Sequence, residues 1–117
     1  MSPRGSPAMI GAVDDVIVAI ADPTRWRLLN TLAARGHGTA TTLATEVPVS
    51  RPAIVKHLGI LDRAGLVRSR RAGREVLYSV RPGRMEETAR WMSRVASEWD
   101  ARLAMIKRIA ESAGEEA

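Results

Sequence analysis

The sequence predicts a mainly α-helical domain that carries one two-stranded hairpin. Three observations predict it. Apolar residues recur at helical spacing through most of the 117 residues. One region only, around residues 66–80, changes to strand-like alternation. Between them, residues 50–67, SRPAIVKHLGILDRAGLV, hold a complete helix start and stop. Ser50 suits an N-cap, and Pro52 sits in the first turn, where its missing N–H costs nothing. Ile54, Leu58 and Leu61 form one apolar stripe, and Gly65 suits a left-handed C′ position.

Composition bounds the rest. A chain of 117 residues fits one domain, and 45% apolar residues suffice for a modest core. Without phenylalanine, Trp26, Trp91, Trp99 and Tyr78 are the only large rings. Without cysteine there is no disulfide, thiolate metal site or thiol redox switch, which fits a cytoplasmic protein. The most apolar run, residues 16–21, is bracketed by Asp14, Asp15 and Asp22, so neither a membrane span nor a secretory leader is expected.

Residues 1–8, MSPRGSPA, read as a disordered tail, and the domain proper as 9–112. The first helix, α1, is expected over 9–21, with Met9, Val13, Val16, Ile17 and Ile20 on one side. Asp22 and Pro23 give a cap-plus-proline start to α2, over 23–35. It is expected to bury Trp26, Leu28, Leu29, Leu32 and Ala33, and Gly36, His37 and Gly38 break it. A brief helix α3 follows over 39–47, with Leu43, Ala44 and Val47 inward. Its threonines weaken intrinsic propensity, so packing must hold it. Pro48 and Val49 make the turn into α4, over 50–64. Helix, short turn, helix is the helix-turn-helix arrangement.

Strands β1, over 66–70, and β2, over 76–80, flank RRAGRE, with Gly73 supplying the turn. Behind a helix-turn-helix, such a hairpin is a wing. Pro82 and Gly83 end it. The last helix, α5, runs over 84–112, and 113–117 read as a frayed acidic tail. Met85, Met92, Trp99 and Ile106 recur every seven residues along it, beside Ala89, Ala96, Leu103 and Ala110, with Val95 adding to the seam. A domain this small cannot bury so long a stripe alone. A homodimer interface with α1 alongside is the expected use: Val13, Ile17, Met85, Met92, Val95, Trp99, Leu103 and Ile106.

Charge points to a partner. Residues 50–84 hold nine Arg/Lys and two acids, while the remainder holds nine basic and eleven acidic residues. So local an excess is the footprint of a polyanion. On α4, the face opposite the stripe carries Arg51, Ala53, Val55, Lys56 and His57, with no carboxylate before Asp62. A small, basic, acid-free helix face suits the DNA major groove. Ser50, Arg51, Ala53, Val55 and Lys56 are the candidates facing base edges. Arg51 is placed either on guanine or on a backbone phosphate. His57 is read as a phosphate or local backbone hydrogen bonder. Arg68, Arg70, Arg71 and Arg74 are read as the wing contact, to the backbone or the minor groove.

Three motifs, DPTRWRLLNTL (22–32), PVSRPAIVKHLGILDRAGLV (48–67) and RRAGREVLYSV (70–80), together resemble the ArsR/SmtB family of winged helix-turn-helix regulators. The resemblance spans about residues 13–110. It implies the order α1-α2-α3-α4-β1-β2-α5, a homodimer joined by its first and last helices, and repression at an inverted-repeat operator in double-stranded DNA. It also shows departures. Many relatives sense metals through cysteines in the helix before the reader, where this chain has TATTLATEV. Others use Asp and His on the last helix, where this chain has Glu98, Asp100 and Glu111 but no histidine. Neither His37 nor His57 has a partner at metal-ligand spacing. The chain is therefore similar to the non-metal branch, and no metal site or cofactor is expected. Val55 stands where relatives commonly have serine, and two readings stay open: contact with a thymine methyl, or packing on the preceding helix.

No enzyme is expected, because no nucleophile–base pair or phosphate-cradling glycine loop is present. A non-specific architectural DNA binder and a winged-helix protein-interaction module are the alternatives to a repressor. The sequence names no effector; Trp91 and Trp99 are either core or the lining of a hydrophobic ligand site.

Overall fold

The computed structural model describes the backbone of residues 7–116 and the side chains of 11–114. Seven elements follow in order: α1 (Pro7–Ala21), α2 (Pro23–Arg35), α3 (Ala40–Leu43), α4 (Arg51–Arg63), β1 (Val67–Ala72), β2 (Glu75–Val80) and α5 (Pro82–Glu116). The strands form one antiparallel pair, with Val67 opposite Val80 and Ala72 opposite Glu75. This is the mainly helical, winged architecture that the sequence predicts.

The starts of α2, α3 and α4 each have a chemical cause. Asp22 caps α2 by accepting from the Arg25 amide at 3.0 Å. Thr39 and Thr42 form a reciprocal capping box on α3: each side-chain oxygen accepts from the other's backbone N–H. Ser50 Oγ accepts from the Ala53 amide at 3.3 Å and starts α4. At the other end of α4, Leu66 N donates to Leu61 O and Gly65 N to Asp62 O, both at 3.0 Å, with Gly65 at φ +79°. That is a Schellman stop, and the chain leaves it directly into β1.

The core is aliphatic. Leu28, Leu32, Leu43, Ile54, Leu58 and Leu61 are fully buried, joined by Val16, Val47, Leu66 and Val67. The apolar stripe of α4 therefore faces inward along its whole length, and this fixes which face is left for solvent.

Several expectations need correction. Trp26 is 46% exposed and Ala33 is exposed. With Asn30 they form an i, i+4, i+7 row beside the Leu28/Leu32 row, and only the latter meets the core. The α3 helix is four residues, not nine. Thr45 turns its hydroxyl onto Thr42 O at 2.7 Å, and Thr45 and Glu46 donate to residues three back, which tightens the chain out of α-helix. The hairpin is longer than expected: its strands run to Ala72 and from Glu75, so only Gly73 and Arg74 turn. Gly73 has φ +67°, as a two-residue turn with glycine first requires.

The terminal expectations also shift. Pro7 and Ala8 belong to α1, while residues 1–6 of the expected tail, the Met9 side chain and Ala117 lie outside the described residues. Residues 113–116 continue α5 and are not frayed. Val13, expected at a dimer interface, is 1% exposed within the single chain and offers nothing to a second copy. Within the single chain α1 packs against α5, α2 and α4. Beyond its contact with α1, α5 runs free. At ~1.5 Å per residue its 35 residues span about 52 Å, and every side chain from Trp99 to Gly114 is exposed.

Candidate nucleic-acid interface

The reader face is what the buried stripe of α4 leaves over. With Ile54, Leu58 and Leu61 inward, Arg51, Val55 and Lys56 are exposed on the opposite side. Ala53 is half-buried, and Ser50, though exposed, uses its oxygen on the helix cap. Val55 is 48% exposed, so it does not pack into the core; it faces solvent on the reader side. It lines a cleft of about 140 Å³ together with Arg51, Thr41, Arg74, Val76 and Tyr78. The reader helix and the wing thus share one wall of side chains.

A backbone bridge sets the wing against the reader. Gly38 N donates to Tyr78 O at 3.0 Å, and Tyr78 N donates to Gly38 O at 2.8 Å. The loop before α3 is in effect a one-residue third strand. Nothing in the side chains of Gly36, His37 and Gly38 announces it; glycine's close backbone approach was the one available signal. The Tyr78 ring packs against the core, and burial, then the negative charge of Asp62, pushes its hydroxyl above its ordinary range. Arg68, Arg70, Arg71 and Arg74 are all exposed on the hairpin.

His57 is mostly buried, and its Nδ1 lies 3.4 Å from the Arg25 guanidinium and 4.0 Å from the Asp22 carboxylate. Its Nδ1 joins the reader helix to the α1–α2 corner. At that corner Arg25 also donates to Ala19 O at 2.7 Å and Val18 O at 3.3 Å, closing the open carbonyls at the end of α1. The amide of Arg25, and secondarily the charges of Arg25 and His57, hold the Asp22 carboxyl below its ordinary range, against the opposing pull of desolvation. The DPTR motif is thereby explained as a joint: Asp22 starts one helix, Arg25 finishes another, and His57 fastens both to α4.

On α5 the expected seam residues Met92, Trp99, Leu103 and Ile106 are 50–59% exposed, and Ile17 of α1 is 38% exposed. Met85 packs partly on the core and Val95 is half-buried. Trp91 is half-buried, its Nε1 without a hydrogen-bond partner among the described residues. Trp99 lies under the Arg102 guanidinium, 5.1 Å from its ring centre. Among the described residues no group of three or more His, Cys, Asp and Glu could hold a metal ion. Nor is any described helix long and apolar enough to cross a membrane.

A short capped helix, a reader helix with a basic outer face and an arginine-bearing wing define a winged helix-turn-helix DNA-binding regulator. The comparisons agree. A family described as a helix-turn-helix domain matches residues 20–70. The transcriptional repressor SdpR of Bacillus subtilis is 34% identical over 80 residues, 68% of this chain and 88% of that protein. An HTH-type transcriptional regulator of Methanocaldococcus jannaschii is 33% identical over 73 residues, 62% of this chain and 82% of that protein. The solved structure of an ArsR-like transcriptional regulator from Rhodococcus sp. RHA1 superposes with a TM-score of 0.76 at 44% identity, covering 88% of this chain and 96% of that one. The chain belongs to the ArsR family of winged helix-turn-helix transcriptional regulators.

Proposed function

We propose that the chain is a cytoplasmic, homodimeric repressor that binds an inverted-repeat operator. The α4 helix enters the major groove and the wing lies on the adjacent backbone or minor groove. One observation carries this reading: Arg51, Val55 and Lys56 are exposed side by side on a helix whose opposite stripe is fully buried. That face has no carboxylate over its first three turns. Ser50 and Ala53 stand at its start, and Arg68, Arg70, Arg71 and Arg74 add the wing's charge. The two copies meet through Ile17, Met85, Met92, Val95, Trp99, Leu103 and Ile106, an apolar row that a single chain leaves largely open.

The proposal includes a signal other than a coordinated metal. Its support is that the chain has no cysteine, that His37 is exposed in a loop, and that His57 is engaged with Asp22 and Arg25. It includes no enzymatic activity and no cofactor.

The test is selection of bound genomic fragments, followed by affinity for selected against random DNA at one salt concentration. A symmetric motif bound 10³-fold or more tightly, on the order expected for specific recognition, supports the reading. Equal affinity for both DNAs makes the chain an architectural binder, and no DNA binding makes the winged helix a protein-interaction module. Arg51→Ala is expected to cost roughly 1–3 kcal/mol and relax one operator position. An equal loss on random DNA reassigns Arg51 to a phosphate.

A further inference from the structure

A second basic cleft lies apart from the reader face, at the base of the hairpin. Three turns of chain meet there: the Gly65 stop after α4, the Arg81 link after β2, and the first turn of α5. The cleft encloses about 290 Å³ and is lined by Arg68, Arg81, Arg84, Gly65, Gly83 and Glu87. Three arginines and a single acidic residue thus line one small space. None of the three guanidiniums has a hydrogen-bond or ion-pair partner among the described residues. An anion seated in the cleft would meet an excess of positive charge from its lining residues.

The backbone fixes where these arginines start. Arg81 N donates to Leu66 O at 2.8 Å, clamping the end of β2 to the start of β1. Arg68 is paired with Ser79 in the hairpin ladder. Arg84 lies over Gly65, where an added Cβ would stand 2.9 Å from its Cγ. Only glycine leaves room for that stem. Gly65 therefore serves twice, as the left-handed stop of the reader helix and as the bed of Arg84.

We propose that this cleft is a binding site for a phosphate-class oxyanion. Planar guanidiniums suit phosphate by paired N–H donation, and three of them suit a phosphomonoester or pyrophosphate better than a single-charged carboxylate. Glu87 accepts from a hydroxyl or amine elsewhere on such a ligand. The oxyanion has two sources: a free small phosphate compound, or a backbone phosphate of bound DNA. The site joins the stop of the reader helix, both wing strands and the start of α5. A free ligand there lies where the reader helix, the wing and the start of α5 come together.

The test uses the full chain and two probes, inorganic phosphate and pyrophosphate, titrated against chloride at matched ionic strength. Saturable amide shifts are expected at Gly65, Arg81, Gly83 and Arg84. Arg81→Gln with Arg84→Gln should weaken pyrophosphate roughly tenfold for each guanidinium removed. Arg71→Gln with Arg74→Gln, at the wing tip, should leave it unchanged. Non-saturating shifts, or equal titration of the wild type and the Arg81→Gln/Arg84→Gln chain, overturn the site. DNA binding distinguishes the sources. If Arg81→Gln/Arg84→Gln lowers the salt slope by about one or two, the seat holds a strand phosphate. If the slope is unchanged while pyrophosphate binding is lost, the ligand is a free one. A lack of DNA binding by the wild type ends the operator reading without touching the pyrophosphate result.

Discussion

Gly38 and Tyr78 exchange two backbone hydrogen bonds, at 3.0 and 2.8 Å, and so stitch the loop ahead of α3 to the second wing strand. A free two-stranded hairpin is marginal in water. This one is held from its side, and Arg74 of the wing and Arg51 of the reader helix line one cleft.

Gly38→Pro removes the donor of the first bond, while Gly38→Ala keeps it. Both add a carbon close to Leu32 Cδ2, 3.3 Å from an ideal Cβ, and proline alone also sets its ring against Tyr78 O, the acceptor of the lost bond. The proline chain should be less stable than the alanine chain by at least about 1 kcal/mol, the net worth of one backbone hydrogen bond, with the ring's clash added. Amide exchange at the wing should rise in the proline chain alone, and its DNA salt slope should fall. If the two chains behave alike, the bridge does not hold the wing.

Asp22 supplies a pH-dependent prediction. Its carboxyl is held below its ordinary value of 3.8, chiefly by the Arg25 amide and then by the nearby positive charges. A folded-state value lower than the unfolded one means the unfolded chain binds the proton more readily. The stabilisation is then complete above pH 3.8 and is lost as pH falls through the lower folded value. Asp22→Ala should lower Tm at pH 7 and lose most of that deficit in strong acid. A deficit constant with pH would mean that the cap's charge plays no part.

The elements legible in the sequence are those with local chemical marks. Ser50 and Gly65 bracket α4 in the sequence as they do in the structure, because a cap and a left-handed stop are decided within a few residues. The reader face followed, since fixing Ile54, Leu58 and Leu61 inward fixes Arg51 and Lys56 outward. What was missed is non-local. The partners of the His57 Nδ1, Asp22 and Arg25, are more than thirty residues away in sequence and so go unannounced there. Trp26 read as core because large rings usually are, yet its row turns away from the packed side. The Gly38–Tyr78 bridge is backbone to backbone and leaves no side-chain signature.

Gly65→Ala tests the stop of the reader helix. At φ +79° an L-residue is strained by about 1–2 kcal/mol, and the new Cβ would meet Arg84 Cγ at 2.9 Å. The urea midpoint should fall with an unchanged m-value. Gly59→Ala, within α4 and only in ordinary contact with Arg63 at 3.6 Å, should be neutral or stabilising. Equal effects from both substitutions would show that the left-handed turn is not what Gly65 supplies.

The free end of α5 tests the proposed dimer. Leu103 and Ile106 are 56% and 59% exposed in the single chain, one helical turn apart on the seam. Exposed residues contribute little to the fold of one protomer, so Leu103→Glu with Ile106→Glu should leave helix content unchanged and cost the monomer almost nothing. In a two-fold dimer each is buried twice, and each burial is worth roughly 1.5–3 kcal/mol. Four lost apolar contacts, with carboxylates opposing one another, should weaken association by roughly a thousandfold or more. Sedimentation at micromolar concentration should then find monomer where the wild type gives dimer. Operator affinity should fall with it, because two half-sites no longer share one ligand. Arg108→Glu, two residues past Ile106 and off the seven-residue rows, is the control and should remain dimeric. A double variant that still sediments as a dimer would place the interface elsewhere than the overhanging half of α5.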